Sequence, residues 1–394
     1  MIIPMLPTTP VITNATLNSR GSTIRTQGPG ETVKSANYAR IAGPIAPVKR
    51  PKTAHTPDLA AVVSRRLTEF SDATYNCRMP SLNERAWQLG DAMAADAGAL
   101  GIVVRRLDCG TRLIDCGVKA PGSIEAGRRL AEICMAGLAA VEVVKSDPGL
   151  WPGDAVQVHT NHPVAACLAS QYAGWEIKGE GFFAMGSGPM RAAAGREDLF
   201  DTIGHREKAD RCVGILETGK LPPESVCIDL AATCGVAPDR LTLLVARTSS
   251  PAGTIQIIAR SVETALHKLH EIGFDLNRME SGSGTAPLPP VAGDDLTAIG
   301  WTNDAILYGG DVELTIRGTD DSIEAIGPRV PSSASPDFGR PFAEIFARYD
   351  HNFYRIDPLL FSPAKVTFVN RDTGEKHQFG RIAPEVLSRS FGAA

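Results

Sequence analysis

Arg260, Glu263, His267 and His270 are separated by three, four and three residues, so on a helix they fall in one polar stripe. Beside them Ile255, Ile258, Ala259, Val262, Leu266 and Leu269 make an apolar stripe about 100° wide, which predicts a helix over 254–272 with one face in the core. A carboxylate one turn from a guanidinium is a usable general-base arrangement. The fixed positive charge keeps the carboxylate ionised, and the two groups can orient a water or a substrate. Periodicity alone favours a plainer account, an exposed ion pair worth about 0.3–0.5 kcal/mol. The run from Thr254 to Ile258 is rich in β-branched residues, so the first turns could also extend as a strand.

Other constellations carry less. His159 and His162, like His267 and His270, are three apart, but neither pair has a third ligand at a fitting spacing, so no metal is expected. Pro163 suits the first turn of a helix, with Asn161 or His162 as its cap. Gly186, Ser187 and Gly188 form a glycine-rich turn through which backbone amides could approach a ligand. The phosphate-loop lysine and the complete dinucleotide fingerprint are missing there. Asn303 and Asp304 stand just before the apolar run 305–307, read as a buried strand, where they could bind a polar ring or cap a turn. No nucleophile elbow is present.

The elements that must position these residues begin after a tail. Residues 1–56 are rich in Thr, Pro, Gly and Ser, carry seven Lys/Arg against one Glu, and show no apolar periodicity, which predicts a disordered basic segment. Residues 57–78 read as a short amphipathic helix, Pro57–Phe70, and a linker, and 79–394 as the body. Ser81 with Glu84 makes a capping box opening the first body helix. Strands are expected over 103–107 and 111–117 (turning at Gly110), 141–144, 155–160, 241–247, 312–317 and 365–369, the last paired through Thr373-Gly374 to the segment after it. Helices are expected over 123–138, 162–172, 223–236 and 341–349, a mixed segment over 205–218, and a Gly/Pro-rich loop over 281–295. Hairpins interleaved with crossovers imply an α/β (α+β) body around a large mixed sheet.

The 394 residues are 43% hydrophobic and the net charge is −4, concentrated as negative charge outside the tail. Such a body is a poor partner for nucleic acid. The eight cysteines include no Cys-x-x-Cys pair, and no run of 18 apolar residues occurs, so a reduced, cytoplasmic protein without a membrane span is expected.

Taken together, several long segments resemble one family. VHTNHPVAACLASQYAGW, FFAMGSGPMRA, ARSVETALHKLHEIGFDL, PPVAGDD, TNDAILYGG, PSSASPDFGRPFAEIF and IDCGVKAPGSIEAGRRLAEICMAGL are similar to the methenyltetrahydromethanopterin cyclohydrolases, from about Ser81 to Phe391. The resemblance implies reversible hydrolysis of the 5,10-methenyl cation of tetrahydromethanopterin to the 5-formyl form, with no prosthetic group. It further implies two subdomains flanking a pterin cleft, and a homo-oligomer, commonly a trimer. The family's catalytic Arg and Glu match Arg260 and Glu263, which replaces the plain salt bridge by a site. Gly186, Ser187, Gly188, Asn303, Asp304 and His267 become candidate substrate-binding residues. The tail and the 57–78 segment lie outside the family pattern and leave open docking to another one-carbon enzyme. Two rivals stay open: a non-catalytic pterin-binding protein, which would not require both Arg260 and Glu263, and the same reaction on tetrahydrofolate.

Overall fold

The computed structural model describes residues 81–392. The expected disordered tail over 1–56 and the helix and linker over 57–78 lie outside the described residues.

Two six-stranded sheets, both mixed, form the body. The first runs β1 (Val103–Arg106), β2 (Arg112–Gly117), β8 (Leu241–Ala246), β7 (Cys212–Glu217), β6 (Phe182–Ser187) and β5 (Trp175–Gly179) in space. Its inner strands β2, β8 and β7 are parallel, while the β1–β2 and β5–β6–β7 pairings are antiparallel. Strand β8 is buried along its whole length, as a parallel strand covered on both faces should be. Alternating residues of β2 feed separate cores: Ile114 packs with Leu130 and Ile133 on one face, Leu113 with Met190 and Leu230 on the other.

The second sheet runs β12 (Lys376–Gly380), β11 (Lys365–Asn370), β10 (Asp311–Ile316), β9 (Met279–Pro287), β4 (Asp154–Thr160) and β3 (Ala139–Lys145). Only β10–β11 is parallel. Buried and half-exposed residues alternate along β11, so one face packs on the core with Val158, Val262, Leu266 and Phe368.

The longer α-helices are α1 (Leu82–Ala95), α2 (Ile124–Cys134), α3 (Glu224–Thr233), α4 (Pro251–Ile258), α5 (Ser261–Glu271), α6 (Asp295–Gly309) and α7 (Pro384–Phe391). Ser81 caps α1 by accepting from Glu84 N, as its spacing predicts; Glu84 itself turns away to Arg211. Among the described residues no helix is long and apolar enough to cross a membrane.

Four expectations are corrected. Residues 254–272 are two helices, not one, broken at Ala259 and Arg260, and the β-branched start is helical. The segment 162–172 is helical but π-helical over Val164–Gln171, closed by Tyr172 N donating to Cys167 O at 2.8 Å. Residues 305–307 lie inside α6, so Asn303 and Asp304 are helical residues and not a strand entrance. Residues 281–287 of the supposed Gly/Pro loop belong to the central strand β9. Its glycines are required by packing: a Cβ on Gly284 would stand 2.5 Å from Ser261 Oγ, and one on Gly282 2.8 Å from Val262 Cγ1. Helix α5 thus lies directly on the backbone of β9.

Candidate active site

The break between α4 and α5 makes the site. Arg260 leaves helical geometry (φ −92°, ψ 7°) and its N–H donates to Ile257 O at 3.0 Å. Ala259 O, freed by the break, accepts from Gln171 Nε2 at 3.0 Å. The Arg260 guanidinium spreads over three neutral acceptors: Gln171 O, Ser187 Oγ at 3.2 Å and Gln256 Oε1 at 3.3 Å. Ser187 ends β6 of the first sheet, while α5 packs on β9 of the second, so elements of both sheets meet at this guanidinium.

Glu263 stands one turn on, its Oε2 3.7 Å from Arg260 Nη1. That is an ion-pair distance, too long for a hydrogen bond. Glu263 is 1% exposed and Arg260 2%, and Glu263 Oε1 has no hydrogen-bond partner among the described residues. Burial pushes the Glu263 carboxyl up to about 7, against the opposing pull of Arg260 and Arg191. A carboxylate with that value can both take and return a proton near neutrality. Burial pushes the nearby Cys134 and Cys167 thiols up, so neither offers a thiolate nucleophile.

A second buried arginine supports this layer. Arg191 forms a two-pronged pair with Glu197 at 2.9 and 2.8 Å and donates to Leu168 O of the π-helix at 2.8 Å. Its guanidinium lies 4.9 Å over Tyr172, whose other neighbour is the His267 ring, stacked at 4.6 Å and 17°. Burial pushes His267 down to about 3, with His270, Arg191 and Lys268 adding to it, so the imidazole is neutral and its 3.7 Å approach to Glu271 is no ion pair at neutral pH. Among the described residues no group of three His, Cys, Asp or Glu side chains forms a metal site.

The family model described as Cyclohydrolase (MCH) matches residues 81–391. The chain is 45% identical over 314 residues to the methenyltetrahydromethanopterin cyclohydrolase of Methylobacillus flagellatus, covering 79% of this chain and 96% of that protein. The proteins of the same name from Rhodopirellula baltica (46% identity, 75% of this chain, 90% of the relative) and Methanococcoides burtonii (40%, 80% and 99%) are similar over nearly the same span. The chain belongs to the methenyltetrahydromethanopterin cyclohydrolase family. It is therefore an enzyme, and its matched region begins with the first described helix.

The remaining residues singled out by the sequence are divided by the structure. Ser187 and His267 lie in the Arg260–Glu263 layer, as above. Gly188 adopts φ +89° and donates its N–H to Ser170 O at 2.8 Å, which docks the glycine turn on the π-helix. A Cβ on Gly186 would meet Ile177 Cδ1 at 2.5 Å, a packing reason for that glycine. Asp304 accepts from Phe342 N at 2.8 Å and Ser390 Oγ at 2.6 Å, and burial pushes it up to about 7. It ties α6 to the helix Phe342–Arg348 and to α7. Asn303 donates to Ile299 O one turn back.

Sequence reading missed Gln171, Tyr172, Arg191 and Glu197. The available signal was a lone Gln and a lone Arg inside otherwise apolar stretches, Ala165–Tyr172 and Met190–Ala194, where a buried polar side chain needs partners.

Proposed function

We propose that this enzyme reversibly hydrolyses 5,10-methenyltetrahydromethanopterin to the 5-formyl form, with Glu263 as general base and Arg260 as its orienting, charge-stabilising partner. The observation that carries the assignment of roles is the buried Arg260–Glu263 pair, held 3.7 Å apart, with Glu263 Oε1 lacking a hydrogen-bond partner among the described residues and its carboxyl pushed up to about 7.

The substrate is an amidinium-like cation, already electrophilic at its bridge carbon. Water oxygen bonds to that carbon while the C=N π pair moves onto nitrogen, and Glu263 takes one water proton. The bond from the bridge carbon to nitrogen 10 then breaks, and Glu263 returns its proton to that nitrogen. The adduct's hydroxyl proton is released as the formyl C=O forms. Arg260 keeps Glu263 ionised beforehand and stabilises negative charge on oxygen as the adduct forms. Its hydrogen bonds go to neutral acceptors, so its charge remains available to the reacting groups.

Gly186, Ser187, Gly188, Asn303, Asp304 and His267 are the candidates for lining the pterin, and of these Ser187 and His267 lie in the Arg260–Glu263 layer. The same reading takes the assembly as a homotrimer, checked by size-exclusion chromatography with light scattering.

The test follows loss of methenyl absorbance with the tetrahydromethanopterin and tetrahydrofolate cofactors side by side. Rapid loss with the former supports the proposal. Binding without loss would make the protein a carrier, and turnover of the folate cofactor alone would overturn the substrate.

A further inference from the structure

We propose that Cys212 and Cys234 form a reversible thiol-modification site, a pair poised to close into a disulfide when the enzyme meets a low-molecular-weight disulfide such as oxidised glutathione.

The pair sits where strand β7 begins and helix α3 ends. Cys212 is the first residue of β7 and Cys234 caps the C-terminus of α3, both within the core cluster between α3 and the first sheet. Both are free thiols, 0% and 5% exposed. The Cys212 thiol donates to Cys234 Sγ, and the Cys234 thiol donates in turn to Met190 O at 3.6 Å. The two sulfurs are therefore in contact, and the chain from 212 to 234 is the first half of the crossover from β7 through α3 to its parallel neighbour β8. A bond between them would close that half-crossover into a loop.

The contact with Cys234, together with burial, pushes the Cys212 thiol up, so the reaction starts at Cys234. Only the last turn of α3 shields that sulfur. Three bonds close the turn: Cys234 N to Leu230 O at 2.9 Å, Val236 N to Ala231 O at 3.0 Å and Gly235 N to Ala232 O at 3.1 Å. The helix ends there on Gly235 at φ +71°, and Gly235, Ala237, Asp239 and Arg240 beyond it are exposed. Helix ends open locally far more readily than the core they cover.

In the opened form Cys234 gives its proton to water and its sulfur attacks one sulfur of the disulfide RSSR. A Cys234–SR bond forms, the S–S bond breaks, and RS⁻ leaves and is protonated. Reclosing of the turn returns this mixed disulfide to Cys212. The Cys212 thiol gives up its proton, its sulfur attacks Cys234 Sγ, and the second RS⁻ leaves. Two protein thiols are oxidised to one disulfide while RSSR is reduced to two RSH. The new bond ties the end of α3 to β7 and suppresses the opening that admitted the oxidant.

The test incubates the full-length enzyme with oxidised glutathione, alkylates the remaining thiols and weighs the proteolytic peptides. The expected product joins Cys212 to Cys234, is reversed by dithiothreitol, and slows amide exchange over residues 228–236 by about tenfold or more. Cys212→Ala should instead retain a glutathionyl group on Cys234, because the resolving sulfur is gone. The measurement on the unmodified chain stands even if that variant does not fold. Cys212 and Cys234 both still free after exhaustive incubation would overturn the proposal, as would a Cys234 adduct that never resolves. A cross-link without slower exchange would overturn the tie between α3 and β7.

Discussion

Glu263 is pulled in opposite directions by burial, which favours its neutral form, and by Arg260 and Arg191, which favour its charge. With the free-enzyme value near 7, kcat/KM should fall tenfold per pH unit below about 7, because the base is then protonated. The bound cation adds positive charge beside the carboxylate, so the corresponding limb of kcat should lie at lower pH. Among the described residues the ionisable groups that act on Glu263 are Arg260, Arg191, Tyr172, Cys134 and Cys167, and of these the two arginines carry the positive charge. Removing Arg191 alone would strand buried Glu197. We therefore predict that Arg191→Gln with Glu197→Gln moves the acidic limb of kcat/KM upward, read from pH profiles of both enzymes. An unmoved limb would mean that Arg191 does not act on Glu263. At this scale the sequence exposed Arg260 and Glu263 only through spacing and a family likeness. Spacing put them on a solvated face, because a stripe flanking an apolar one looks the same whether water or another element covers it. Gln171 and Arg191 were hidden because their partners, Ala259 O and Glu197 or Leu168 O, follow from backbone path and not from side-chain periodicity.

The helix break and strand β9 are the elements that aim this chemistry. Apolar spacing runs through Ala259 without interruption, so the break was not legible; it is imposed by contacts from the π-helix and β6. Strand β9 was misread because Ser281-Gly-Ser-Gly284 has the composition of a loop. Its glycines instead admit α5 to the sheet backbone. Gly284→Ala should cost about 1–3 kcal/mol in denaturant unfolding, because its Cβ would collide with Ser261 at the start of α5. Turnover should fall with it, since Glu263 is two residues further on. Gly293→Ala, whose Cβ meets nothing within 4 Å, is the control. Equal stability of the two variants would show that β9 and α5 are not in close contact. Elements with local signals were read well: β1–β2 around Gly110, the Ser81 cap, and the β11–β12 hairpin at Gly374 all stand where turn and cap chemistry put them.

Over the whole molecule, the mixed α/β class followed from hairpins and crossovers alternating along the chain, whereas the division into two separate sheets needed long-range pairings such as β4 with β9. The residues to which we assign the chemistry all lie beyond Ser81, where the family match begins. An enzyme lacking residues 1–56 should accordingly turn over within about twofold of the full chain, the scale on which an intact transition-state environment is preserved; a large loss in the same assay would place that segment in the catalytic assembly. The central claim is that a buried carboxylate at position 263 activates water beside Arg260. Its most direct test is a single-turnover comparison of Glu263→Gln with the unmodified enzyme, following decay of methenyl absorbance after the bound complex has formed. The account predicts unimpaired formation of that complex and decay slower by about 10² to 10⁴. Decay within a few-fold of the unmodified rate would contradict it.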